Sequence, residues 1–66
     1  MKTQYMTIYS LRFSYYGWLA YPEKVCETEC APFFLDVLQS NEPSVHFLVS
    51  RKKPTVKQIA AIVETM

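Results

Sequence analysis

The stretch from Gln4 to Trp18 constrains this chain more than any other. It reads Gln4-Tyr5-Met6-Thr7-Ile8-Tyr9-Ser10-Leu11-Arg12-Phe13-Ser14-Tyr15-Tyr16-Gly17-Trp18, and with Tyr21 just beyond it holds seven of the ten aromatic residues. Two periodicities fit it. As a strand, Tyr5, Thr7, Tyr9, Leu11, Phe13 and Tyr15 share one face, all apolar except Thr7. As a helix, Tyr5, Ile8, Tyr9, Arg12, Phe13 and Tyr16 form an equally good stripe. Residue type decides for the strand. Tyr, Thr, Ile and Phe suit a pleated surface, and no Ala, Glu or Lys lies between Gln4 and Tyr16. Gly17, the only glycine, is where such a strand ends or bends. The odd-numbered face is the expected core, since each aromatic ring removes roughly 150–250 Å² from water when buried. Tyr16, Trp18 and Tyr21 are candidates for contact with a partner instead.

Sixty-six residues make one domain, spanning residues 1–66. A chain of about this size buries only about 60% of its unfolded surface, so its stability is modest. Half the residues are hydrophobic, enough for a packed core and against disorder. A net charge of +1 gives no overall attraction to nucleic acid or acidic lipid. The charge is unevenly placed, though. Glu23, Glu27, Glu29, Asp36 and Glu42 face only Lys24 in the middle of the chain, whereas Arg51, Lys52, Lys53 and Lys57 cluster later. No run reaches the roughly 18 apolar residues of a membrane span, and polar residues interrupt any leader-like core at the N-terminus. The expectation is a cytoplasmic protein whose two cysteines are thiols.

Beyond Gly17, Tyr21-Pro22-Glu23-Lys24 reads as a helix start, with proline in the first turn and an acid at the positive end of the dipole. The spacing predicts a helix over about 22–40, broken or kinked at Pro32, which lacks an amide donor and can itself begin a second helix, Phe33 to about Ser40. That second helix carries Phe34, Val37 and Leu38 on one stripe. Val45-His46-Phe47-Leu48-Val49 is short, β-branched and aromatic, and predicts a buried strand at about 45–50. The last segment, about 55–65, is a helix. Thr55 and Gln58 fit a capping box, and Val56, Ile59, Ala60, Val63 and Met66, joined by Ile62, share one side. The fold class is α+β, a small sheet built on the long first strand with both helices packed on one face.

Several constellations point towards chemistry. Cys26 and Cys30, four apart on the expected helix, could join His46 to offer zinc three ligands. One such pair with one distant histidine is far from the paired-ligand spacing of zinc domains, and two small side chains on a buried helix face explain the cysteines as well. Cys26 or Cys30 with His46 and Asp36 carries no flanking sequence that marks a nucleophile, so no enzyme is expected and no cofactor is implied. Arg51, Lys52, Lys53 and Lys57 surround a helix N-terminus, where an anion such as nucleic-acid phosphate would be welcome; a solvated loop is the plainer explanation.

Two strands of unequal length leave the first with more backbone edge than one short strand can satisfy. Two outcomes follow. The strand pairs with a copy of itself in a homodimer or with a strand of another protein, or it folds at Ser10 or Gly17 into a hairpin and completes a three-stranded sheet. The functional expectation is a small protein-binding module, an inhibitor or modulator of a larger complex. It would act through strand pairing and aromatic contacts at Arg12, Tyr16, Trp18 and Tyr21. The alternatives are a nucleic-acid-binding module using the basic turn at 51–57 and a zinc-stabilised miniature domain.

Overall fold

The computed structural model describes residues 3–65. Strand β1, Tyr5–Ser14, runs into strand β2, Gly17–Glu27. A single 3-10 turn at Thr28–Cys30 leads to helix α1, Ala31–Asn41. Strand β3, His46–Ser50, and helix α2, Val56–Glu64, complete the order. The sheet is antiparallel in the order β2-β1-β3, so the α+β class stands.

The chain takes the hairpin route at Gly17. β1 is paired with β2 from Tyr5↔Glu27 to Ser14↔Gly17 and with β3 from Thr7↔Ser50 to Leu11↔His46. The aromatic strand is therefore the centre of the sheet. Over Thr7–Leu11 both of its edges are occupied, so this stretch offers no edge for pairing with its own copy, while over Arg12–Ser14 the strand pairs with β2 alone. Gly17 has φ of +99°, and among the described residues no other residue has positive φ. Tyr15 and Tyr16 thus turn the chain in the manner of a type I turn closed by a left-handed glycine. The Ser14 hydroxyl clamps the turn, accepting from the Tyr16 amide at 3.2 Å and donating to the Gly17 carbonyl at 2.9 Å. No atom lies within 4 Å of where a Gly17 Cβ would sit. Gly17→Ala is then expected to lower stability by about 1–2 kcal/mol through backbone strain alone, read as a fall in the thermal unfolding midpoint.

The expected helix from residue 22 is corrected to strand. Pro22 tolerates this because β2 is an edge strand, where a missing amide need not break a ladder. Opposite the Ile8/Tyr9 step the register shifts, leaving Glu23 as the extra residue of a β-bulge. Helix α1 starts at Ala31 with Pro32 in its first turn, so of the two roles expected of Pro32 it takes that of opening the second helix, the segment before it being strand.

The two helices lie on opposite faces of the sheet, not on one. On the α1 face, Ile8, Cys26, Ala31 and Phe47 form a buried cluster with Phe34, Leu35 and Leu38 of the helix packed against it. On the α2 face, Tyr9, Leu11, Ala20 and Ile59 are buried, with Trp18, Leu48, Ile62 and Val63 beside them. Adjacent residues Ile8 and Tyr9 therefore enter different cores, as strand alternation requires. Val37 and Val56, expected to face the core, are exposed, and Met66 lies outside the described residues. The capping box of α2 is present: the Gln58 amide donates to Thr55 Oγ1 at 3.2 Å and the Thr55 amide to Gln58 Oε1 at 2.9 Å.

Candidate protein-docking site at the hairpin tip

A ten-residue strand is about 33 Å long, whereas the nine residues of α2 span only about 13 Å. The β1–β2 hairpin therefore outruns the helices that cover it, and the molecule measures 41 × 24 × 20 Å. Its uncovered end carries three exposed aromatic rings, with a fourth, Trp18, half-buried beside them, and from Phe13 to Tyr21 no charged residue. Tyr15 is 96% exposed, Tyr16 85% and Phe13 72%. Phe13 and Trp18 pair across the strands, edge to face, with ring centroids 5.6 Å apart. Tyr15 and Tyr16 do the same within the turn at 5.3 Å. Cross-strand aromatic pairs stabilise a hairpin, which accounts for Phe13 and Trp18. Nothing in the fold requires two tyrosine rings in the turn itself.

The four residues expected to contact a partner do not converge. Tyr16 sits in the turn. Trp18 is half-buried, packed against the core of the α2 face. Arg12 and Tyr21 lie on the α1 face, at register positions opposite Leu19 and Ser10. Phe13 and Tyr15, assigned to the core by alternation, belong to the exposed tip. The available signal was local: Ser14 and Gly17 bracket Tyr15-Tyr16 as turn residues do.

Arg12 is the hub of a polar cluster. Its Nη2 donates to both carboxylate oxygens of Glu42, each at 3.1 Å, and to Glu23 Oε1 at 3.4 Å. The Glu42 hydrogen bond first, then the Glu42 charge and the hydrogen bond and charge of Glu23, raise the guanidinium above its ordinary value against an opposing desolvation. Ser10, fully buried, donates to Glu23 Oε1 at 2.5 Å and accepts from Arg12 Nε at 3.3 Å. The bulge is what turns Glu23 to this face, and the cluster ties β1 to β2 and to the end of α1. Ser10→Ala removes a hydrogen bond to a charged acceptor and is expected to cost about 1–2 kcal/mol in urea unfolding.

The basic turn is differently placed. Arg51 donates to the Gln4 side chain, while Lys52, Lys53 and Lys57 are exposed. The zinc reading finds no support. Cys26 is buried at the end of β2 and Cys30 is exposed in the 3-10 turn, so the expected helical pairing is absent. His46 is exposed, and of the strand expected to be buried only Phe47 is fully so. Among the described residues no three His, Cys, Asp or Glu side chains come together as a metal site. Among the same residues no helix is long and apolar enough to cross a membrane.

No protein-family model matches the chain, and no curated protein or solved structure shows significant similarity to it.

Proposed function

We propose that this chain is a small protein-binding module, a modulator of a larger protein, that docks through the tip of the β1–β2 hairpin. The observation that carries this reading is the pair Tyr15 and Tyr16, almost wholly exposed at the end of an arm that the helices leave bare. Tyr and Trp are enriched at interface hot spots because they bring large apolar area and a polar tip at small entropic cost. A rigid hairpin presents such rings already ordered, which lowers the cost of association. Tyr16 and Trp18 keep the contact role expected of them, joined by Tyr15 and Phe13. Arg12 supports the arm from behind, and Tyr21 lies at its base.

The test compares the wild-type chain with Tyr15→Ser/Tyr16→Ser in affinity capture from extract of the native host, at low and at high salt. The expected result is one protein retained by the wild type at both salt concentrations and lost with the variant. Retention that vanishes as salt rises, with a nucleic acid in the eluate, would assign binding to Lys52, Lys53 and Lys57 instead, because phosphate contacts release counterions.

A further inference from the structure

The sheet has two outer edges, and they are not alike. The outer edge of β2 is interrupted by Pro22 and by the Glu23 bulge, both of which discourage a further strand. The outer edge of β3 has neither. His46-Phe47-Leu48-Val49-Ser50 contains no proline and no Lys, Arg, Asp or Glu. Among the described residues no strand pairs with that side. In an antiparallel ladder every second residue of such a strand points its N–H and C=O outward.

Beside this edge the surface is hollowed. A depression of about 320 Å³ is lined by Leu48, Val49 and Ser50 of β3 and by Pro54, Gln58, Ala61 and Ile62 on the α2 side. No described residue of β1 or β2 lines it, which puts it at the outer flank of β3. A second hollow, of about 440 Å³, borders the other end of the strand at Val45 and His46, between Gln39 and Thr65. The two together border both ends of β3, at His46 and at Leu48–Ser50, and a five-residue extended segment measures about 17 Å. At the Pro54 end stand Lys52, Lys53 and Lys57, all exposed. Cations at a helix N-terminus oppose its dipole, so α2 itself does not gain from them.

We propose that the outer edge of β3 and the flank of α2 form a strand-accepting groove for an extended segment of a partner protein, with alternating apolar side chains and an acidic residue at the end nearest Lys52, Lys53 and Lys57. Main-chain hydrogen bonds to β3 hold such a segment, and every second side chain enters the apolar hollow. The lysines fix its direction through charge. This groove is separate from the hairpin tip and stands or falls without it.

The experiment is an amide NMR titration of the full chain with two capped hexapeptides, Glu-Thr-Val-Thr-Val-Thr and the same sequence with lysine in place of glutamate. The glutamate peptide is expected to shift the amides of His46–Ser50 and of α2 while leaving Ser14–Trp18 unmoved. The lysine peptide binds about tenfold more weakly. Ala61→Glu, at an exposed position of the groove wall, abolishes the shifts with an unchanged circular dichroism spectrum. Tyr15→Ser/Tyr16→Ser leaves them intact. No shifts at β3, equal binding of both peptides, or indifference to Ala61→Glu would overturn the proposal. So would concentration-dependent shifts at β3 without peptide, which would make the occupant a second copy of the chain.

Discussion

Ile8→Ala is expected to leave most of the chain unfolded under conditions in which the wild type is folded. Ile8 is 0% exposed and sits on the central strand, between register partners Lys24 of β2 and Val49 of β3. Above it lie Phe34, Leu35 and Leu38 of α1, and beside it Phe47 and Cys26. Truncation leaves a cavity that neighbours on three elements cannot all move to fill. Such substitutions cost about 2–5 kcal/mol. A domain of this length has only roughly 3–10 kcal/mol in total, so the loss takes from about a fifth to all of its stability. Circular dichroism during urea titration checks this. Ile8→Val, which removes one methylene, is expected to cost about 1 kcal/mol and keep the fold.

Tyr15→Ser/Tyr16→Ser is expected to do the reverse, keeping the fold and losing the partner. Both rings are exposed and touch chiefly one another, so their removal changes stability by no more than about 0.5 kcal/mol. Hot-spot residues cost about 2 kcal/mol or more each when truncated. The pair therefore lowers affinity by at least ~100-fold, tenfold corresponding to about 1.4 kcal/mol. Calorimetry with the captured partner, beside a thermal melt of each variant, measures both quantities. A melt lowered as much as Ile8→Ala lowers it would mean that the tip is structural.

Much of this architecture was written locally. β1 was legible from its residue types, β3 from a short β-branched run and α2 from Thr55 and Gln58, whose reciprocal hydrogen bonds are present. β2 was not, and the reason is the bulge. Before it, Trp18 and Ala20 face α2; after it, Lys24 and Cys26 face α1, with the parity switched. A period of two that changes phase midway looks aperiodic, and Pro22-Glu23 then imitates a helix start. The placement of the helices on both faces was hidden for a related reason. Ser10 looks like a solvent-facing residue, yet it is fully buried because Glu23 and Arg12 satisfy its hydroxyl. The tip was half legible. Tyr16 and Trp18 lay beyond the strand pattern, while Phe13 and Tyr15 matched it and were assigned inward. Their exposure follows from the lengths of the helices relative to the hairpin, which no single segment encodes.

The most direct test of docking by the tip is a hydrogen-exchange footprint of the partner complex. Binding through the hairpin end predicts new protection confined to about residues 13–18, with the amides of Arg51–Lys57 unchanged. Protection over Arg51–Lys57 with the tip still exchanging freely would contradict it.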